Sequence, residues 1–265
     1  MLFLLSPATT LDYERSLPRG VRQRSSEPLF VAQATELIDG LKTLSPTDVA
    51  QLMDLSDELA ALNVARYASW TPQHDAANSR PAAYAFNGDV YDGLDVRSLQ
   101  GADLTWAQAH LVILSGLYGA LRPFDRLQPY RLEMGARQAN ARGKDLYAFW
   151  GDTVADYLCH RLADERQPLI INLASQEYFK VVDRPALAAR VVDCVFEDWK
   201  DDAEGGRYKL ISFFAKRARG LMARWAIQQR ARSVKALQRF DADGYGFVAT
   251  ASTTDRLVFR RRQTA

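Results

Sequence analysis

Met1-Leu2-Phe3-Leu4-Leu5 is an unbroken apolar run that stops at the polar pair Ser6-Pro7. A signal peptide needs a basic n-region and an apolar stretch of roughly 7–15 residues, so this short run predicts a buried strand instead. Residues 15–28, rich in Pro, Ser and Arg, predict a surface loop. Apolar positions recur at helical spacing over 29–44. Ser45-Pro46-Thr47-Asp48 then carries a helix start: Ser as N-cap, Pro at the first helical position and an acid at the third. Two further helical stretches cover 49–70. Short apolar or alternating runs that suit strands follow at 82–86, 111–114, 169–173, 190–196, 207–213, 245–249 and 257–260. The runs at 190–197 and 207–213 read as a hairpin across the Asp/Gly-containing segment 201–206. Longer helices are predicted over 145–164 and 212–230.

Helices gather early and strands late, which predicts an α+β fold rather than a doubly wound one. The expected architecture is a single domain over 1–265 with a mixed or antiparallel sheet. It has a helical, acidic N-terminal portion at roughly 29–70 and a basic strand–helix portion at 207–240, with a basic C-terminal helix. With 48% hydrophobic and 11% aromatic residues in 265, the chain can fill a large core, which excludes global disorder. No apolar run reaches the length of a membrane span, so no membrane partner is expected. Cys159 and Cys194 form no CxxC, and His74, His110 and His160 are scattered. That pattern predicts free thiols in a reducing, cytoplasmic setting, with no cofactor and no metal cofactor. The P-loop, dinucleotide and nucleophile-elbow signatures are missing.

Charge changes the picture. The chain has 34 basic and 32 acidic residues, but they are segregated. Residues 207–240 hold ten Lys or Arg and no Asp or Glu: Arg207, Lys209, Lys216, Arg217, Arg219, Arg224, Arg230, Arg232, Lys235 and Arg239. From Arg207 to Ala265 there are 14 basic and 3 acidic residues, against 20 and 29 before it. Such separation costs self-repulsion that an anionic partner relieves. On a helix over 212–230, Lys216, Arg217, Arg219, Arg224 and Arg230 share an arc of about 160°. Phe214, Ala218, Leu221, Met222 and Trp225 lie opposite, while Phe213 and Ile227 interrupt the cationic arc. A solvated surface helix explains the same pattern, but the missing acidic i,i+4 partners favour an anion-binding face.

Several clusters combine glycine, aromatics and charge more densely than a core requires. They are residues 86–94 (Phe-Asn-Gly-Asp-Val-Tyr-Asp-Gly-Leu), 114–125 (Leu-Ser-Gly-Leu-Tyr-Gly-Ala-Leu-Arg-Pro-Phe-Asp) and 129–135 (Pro-Tyr-Arg-Leu-Glu-Met-Gly). Others are 143–147, 149–151, 172–180 (Asn-Leu-Ala-Ser-Gln-Glu-Tyr-Phe-Lys) and 211–224. Together, from Ser6-Pro7-Ala8 to Gly244-Tyr245, they closely resemble the YaaA family of bacterial peroxide-stress proteins. The resemblance implies a cytosolic α+β protein of the hydrogen peroxide response that limits damage linked to unincorporated iron. It also implies DNA binding through a basic cleft and a helix-hairpin-helix-like element. One position departs: the family's first motif usually has Lys where this chain has Thr9, so Ser6 and its loop carry at most a weakened anion contact.

Gly116 and Gly119 bracket Leu117-Tyr118 and are the candidate phosphate-binding hairpin, since glycine permits close approach and positive φ. Two residues separate these glycines where the usual hairpin has one, and a plain tight turn explains them equally. The expected DNA-binding set is Gly116, Gly119, Arg122, Arg131, Lys144, Lys216, Arg217, Arg219 and Arg224; Arg137 and Arg142 lie in the same stretch. The expected partner is DNA, duplex or distorted, with low sequence specificity, because no helix aims Asn or Gln at base edges. Tyr118, Tyr130, Tyr147 and Trp150 suit either stacking on unpaired bases or, as read here, the core. The alternative is a glycosylase-like enzyme acting on a nucleotide or nucleobase in a cleft lined by the glycine-rich motifs. Its candidates are Asp125, which follows the hairpin, and Lys180, which shares a strand-to-helix turn with Glu177. Asp89, Asp92 and Asp95 offer oxygen ligands but match no known calcium or iron spacing. Oligomeric state is left open.

Overall fold

The structure is a computed structural model that describes residues 1–201 and 205–262. Its main sheet contains β1 (Leu2–Leu5), β2 (Leu111–Ser115), β3 (Gly119–Leu121), β4 (Leu169–Leu173), β5 (Arg190–Lys200), β6 (Arg207–Lys209), β7 (Gly246–Phe247) and β8 (Arg256–Arg261). Their order is β7-β8-β5-β4-β1-β2-β3, with β6 on the far half of β5. The five central strands, β8, β5, β4, β1 and β2, are parallel; β3, β6 and β7 are antiparallel additions at the margins. The sheet is therefore mixed and the class α+β, as expected. β1 lies inside the sheet between β4 and β2 with all four residues buried, which is why the sequence opens on an unbroken apolar run rather than an alternating one.

Helices Val31–Leu41, Pro46–Met53 and Asp57–Ser69 form the acidic N-terminal layer. Ser45 caps the second through the predicted capping box, its hydroxyl accepting the Asp48 N–H while Asp48 accepts the Ser45 N–H at 2.9 Å. The basic helix, Ser212–Gln229, covers one face of the sheet across β5, β4 and β1.

Three local expectations are corrected. The 82–86 strand is a short helix, Ala82–Ala85, leading into a two-residue strand, Phe86–Asn87. Its Ala-Ala-Tyr-Ala sequence favours helix, and the Ala82 and Ala83 N–H groups are taken by the carbonyls of Asp125 and Pro123 at 2.9 and 3.0 Å. The 145–164 helix is two, Leu146–Trp150 and Thr153–Arg161, broken where Gly151 turns to φ 48°. The 207–213 strand ends at Lys209 because the basic helix begins at Ser212. The hairpin with β5 is present and pairs Lys209 with Asp198, though 202–204 of its turn lie outside the described residues.

The strand order creates a switch point. The chain leaving β1 crosses to β2 on one side, and the chain leaving β4 crosses to β5 on the other. Connections that diverge in this way leave a crevice outside the carboxyl ends of the two strands.

Candidate nucleic-acid interface and the switch-point crevice

The basic helix is seated by small residues. Ala215, Ala218, Ala223 and Ala226 are buried along it, and Gly220 meets Gly93 of the Asp89–Leu94 helix. A Cβ at Gly220 would overlap the Val90 carbonyl oxygen and lie 2.7 Å from the Leu94 nitrogen. A Cβ at Gly93 would overlap the Arg217 carbonyl oxygen and lie 2.9 Å from the Leu221 nitrogen. The two helices thus touch backbone to backbone, and this contact fixes where the cations point.

The five predicted cations do not act alike. Arg224 Nη1 donates to the Asp95 carbonyl at 3.0 Å and to the Ser98 hydroxyl, and it pairs with the Asp95 carboxylate at 3.5 Å. Arg230 pairs with Asp103 at 2.7 Å. The acids absent from the helix are supplied by neighbouring elements, so the expected cationic arc shrinks to its first half. There Lys216 and Arg217 are exposed and Arg219 is half-buried. Burial pulls the Arg219 pKa down, and the charge of Asp193 opposes that shift. Among the described residues, no hydrogen bond or ion pair reaches the guanidinium of Arg219 or Arg217 or the ammonium of Lys216. Leu210 and Phe213, 53% and 55% exposed, stand beside these cations, with Phe213 resting 3.9 Å centroid to centroid on Phe214. Phe213, an interruption in the helical wheel, is thus an aromatic surface interleaved with positive charge. Its position in the cationic arc was the signal for this.

The Gly116–Gly119 element is corrected. Strands β2 and β3 flank it, so it is a strand-turn-strand hairpin, and it is buried. A Cβ at Gly116 would overlap the Leu132 carbonyl oxygen; at Gly119, with φ 64°, it would come within 2.7 Å of the Trp150 ring. The glycines admit protein, not phosphate. Tyr118, Tyr130 and Trp150 are core: Trp150 Nε1 donates to the Gly116 carbonyl at 2.9 Å, and the Tyr130 hydroxyl lies 2.6 Å from Ser115 Oγ. The Tyr118 hydroxyl accepts from Trp70 Nε1 at 2.9 Å and from the Gln128 N–H at 3.2 Å. Its own proton therefore goes to His74 Nε2 at 3.0 Å, and His74 Nδ1 donates to the Pro72 carbonyl at 3.1 Å. This arrangement requires a neutral imidazole, and burial lowers the His74 pKa accordingly.

The other candidates separate. Asp125 is 2% exposed, and its oxygens accept from Ser26 Oγ at 2.6 Å, the Arg122 N–H at 2.8 Å and the Arg122 guanidinium at 2.9 Å. Burial raises its pKa and these bonds draw it back only in part. Its lone pairs are used in pinning the turn, and Arg122 is committed to it. Arg131 is likewise paired, to Glu133 at 2.8 Å. Lys144 is exposed. Lys180 is exposed, with Nζ 4.5 Å over the Tyr147 ring; Glu177 accepts the Gly135 N–H at 2.9 Å.

The crevice at the carboxyl ends of β1 and β4 holds polar groups that the sequence did not group together. Tyr91 donates to the Ser6 carbonyl at 3.1 Å, and Ser6 Oγ accepts the Ser175 N–H at 2.9 Å. Asn172, in β4, accepts the Ala174 N–H at 2.9 Å and donates to Asp193 in β5 at 2.8 Å. The charge of Asp193 also acts on Arg219 of the basic helix, with no ion pair between the two. Thr9, in the same loop, is exposed. Among the described residues no group of three or more His, Cys, Asp or Glu gathers as a metal-binding set, and no helix is long and apolar enough to cross a membrane.

Comparison with known proteins gives this geometry its context. The family model described as "Peroxide stress protein YaaA" matches residues 1–251. A UPF0246 protein of Leptothrix cholodnii is 65% identical over 261 residues, covering 98% of both chains. A UPF0246 protein of Paracidovorax citrulli is 60% identical, covering 99% of both, and one of Bordetella petrii is 58% identical, covering 99% of this chain and all of its own. The chain belongs to the YaaA family of peroxide stress proteins.

Proposed function

We propose that the protein is a cytoplasmic, non-enzymatic DNA-binding protein of the hydrogen peroxide response. It contacts phosphates through Lys216, Arg217 and Arg219, and an exposed base stacks on Phe213. The observation that carries this reading is the set of three cations without ion-pair partners beside an exposed aromatic ring, on a helix whose later cations are neutralised by Asp95 and Asp103. Lys180 and Lys144 are exposed cations as well. Phosphate contacts of this kind carry no sequence information, so binding is of low specificity. Neutralising phosphates also displaces condensed cations, unincorporated ferrous iron among them, and so ties DNA occupancy to limiting iron-linked damage.

Base stacking supplies about 1–3 kcal/mol per base to single-stranded or distorted sites. Fluorescence anisotropy with duplex, bubble and single-stranded DNA tests this directly. Phe213→Ser is expected to erase a preference for bubble over duplex while leaving duplex affinity within about twofold, as a phosphate-only contact requires. Equal loss on all three substrates would overturn the stacking role.

The second reading, an enzyme acting on a nucleotide or nucleobase, is favoured by the Ser6–Ser175 pair in the switch-point crevice. It predicts nucleotide binding in equilibrium dialysis that Ser175→Ala removes without changing DNA affinity. No binding of any nucleotide sinks it.

A further inference from the structure

We infer that the protein associates head to tail with a second copy of itself, the basic start of helix Ser212–Gln229 docking on the acidic face of helix Asp57–Ser69. Large exposed hydrophobic side chains mark both surfaces. They are Leu59 and Leu62 on the acidic surface and Leu210 and Phe213 on the basic one; Leu29 is exposed too but belongs to neither helix. Leu59 and Leu62 sit three apart on one helix, which makes them neighbours on its surface. Exposed Asp54, Asp57 and Glu58 precede them without an ion-pair partner among the described residues, and these three acids outnumber the half-buried Arg66, which lies one turn beyond Leu62 on the same face and donates to Asn63 Oδ1 at 3.3 Å. Leu210 and Phe213 stand next to Lys216 and Arg217 in the same condition. Each patch is therefore an apolar pair edged by unpaired charge, and the two have opposite signs.

The rest of the chain does not satisfy them. Residues 29–70 hold six acids and two bases, the reverse of 207–240. The acidic helix packs on Pro46–Met53 and Val31–Leu41, whereas the basic helix packs on the sheet and on Asp89–Leu94, so each patch stays open on one copy. The opposite charges around the two apolar pairs are what select the partner and the register. With a different neighbour at each patch, the head-to-tail contact is heterologous and builds short open chains rather than a closed dimer. It also covers the face assigned above to DNA, which makes self-association and DNA binding mutually exclusive. Only that last clause rests on the DNA reading; the association does not.

Sedimentation velocity of the full chain tests the inference. The weight-average sedimentation coefficient is expected to rise with protein concentration at about 10 mM salt, where the screening length is about 30 Å. Association should weaken at least about tenfold at about 0.15 M, where the length is about 8 Å. Two exposed-surface variants identify the faces: Glu58→Gln with Leu62→Ser removes the acidic patch, and Arg217→Gln with Phe213→Ser removes the basic one. Each variant alone is expected to sediment as a monomer. Mixed in equal amounts they form a capped dimer and nothing larger, because each retains the face the other lacks. A monomeric wild type at low salt, variants that associate like the wild type, or a mixture that stays monomeric would each overturn the inference. DNA added to the wild type should dissolve the chains. If chains form but DNA leaves them intact, the association stands and the shared-face reading of DNA binding fails.

Discussion

Gly220→Ala isolates the contact that aims the basic helix. In an exposed helix the change would stabilise by about 1 kcal/mol, since alanine is the better helix former. Here the new Cβ meets backbone, which no rotamer change can move aside. Restoring the Leu94 nitrogen from 2.7 Å to an ordinary contact at 3.4 Å separates the helices by about 0.7 Å, and the overlap with the Val90 carbonyl demands more. That opening lengthens the Arg224 bond to the Asp95 carbonyl, now 3.0 Å, and exposes the alanine seam beneath. Overpacking of this kind costs about 3 kcal/mol at the upper end of the usual range, which leaves a net loss of about 2 kcal/mol after the propensity gain. At about 2–4 °C per kcal/mol for a chain of this size, Tm should fall by about 4–8 °C. The control is Gly246→Ala, where a Cβ has nothing within 4 Å and Tm should hold within about 2 °C. Calorimetry on the two variants is the assay. A Gly220→Ala protein as stable as the wild type, or more so, would refute backbone-to-backbone packing of these helices.

Three further outcomes follow from the same geometry. Burial holds His74 and His110 below their usual pKa, so the unfolded chain takes up protons first. Stability should therefore decline as pH falls from about 6.5 through the folded-state pKa values, and denaturant titrations of His74→Gln at pH 7.5 and 5.5 should show a smaller gap than the wild type; an unchanged gap contradicts the neutral-imidazole network. Asp125→Ala strands Ser26 Oγ and the Arg122 N–H and should cost about 1–3 kcal/mol by denaturant midpoint with DNA affinity unchanged; lost binding at full stability would restore Asp125 to the functional site. Ser45→Ala removes the capping box and should cost about 1 kcal/mol, which a midpoint shift measures; no shift means that the cap is redundant.

Patterns set by local chemistry could be read before folding. The apolar opening run is a buried interior strand, Ser45-Pro46-Thr47-Asp48 is a capped helix start, and 169–173 is β4 residue for residue. What depended on distant partners could not. Asp95 and Asp103 neutralise Arg224 and Arg230 from more than a hundred residues away in sequence, so the charge run looked wider than the free surface is. The Gly116–Gly119 spacing fits a phosphate-binding turn and a buried hairpin alike; only the Leu132 carbonyl and the Trp150 ring, brought in by the fold, decide between them. The crevice was invisible for the same reason. Ser6 and Ser175 become neighbours because β1 and β4 pair in parallel, and late-lying strands gave no sign that the centre of the sheet would be parallel.

The most direct test of the DNA reading is the salt dependence of duplex binding for the wild type and for Lys216→Gln with Arg217→Gln. Each phosphate contact contributes about −0.9 to the slope of log affinity against log salt, so three contacts give about −2.7 and the double variant should retain about −0.9. Lys144 and Lys180 steepen both slopes equally if they also reach phosphate, so the difference of about 1.8 is the decisive quantity. A double variant with the same slope and affinity as the wild type would place the contact elsewhere and contradict the account.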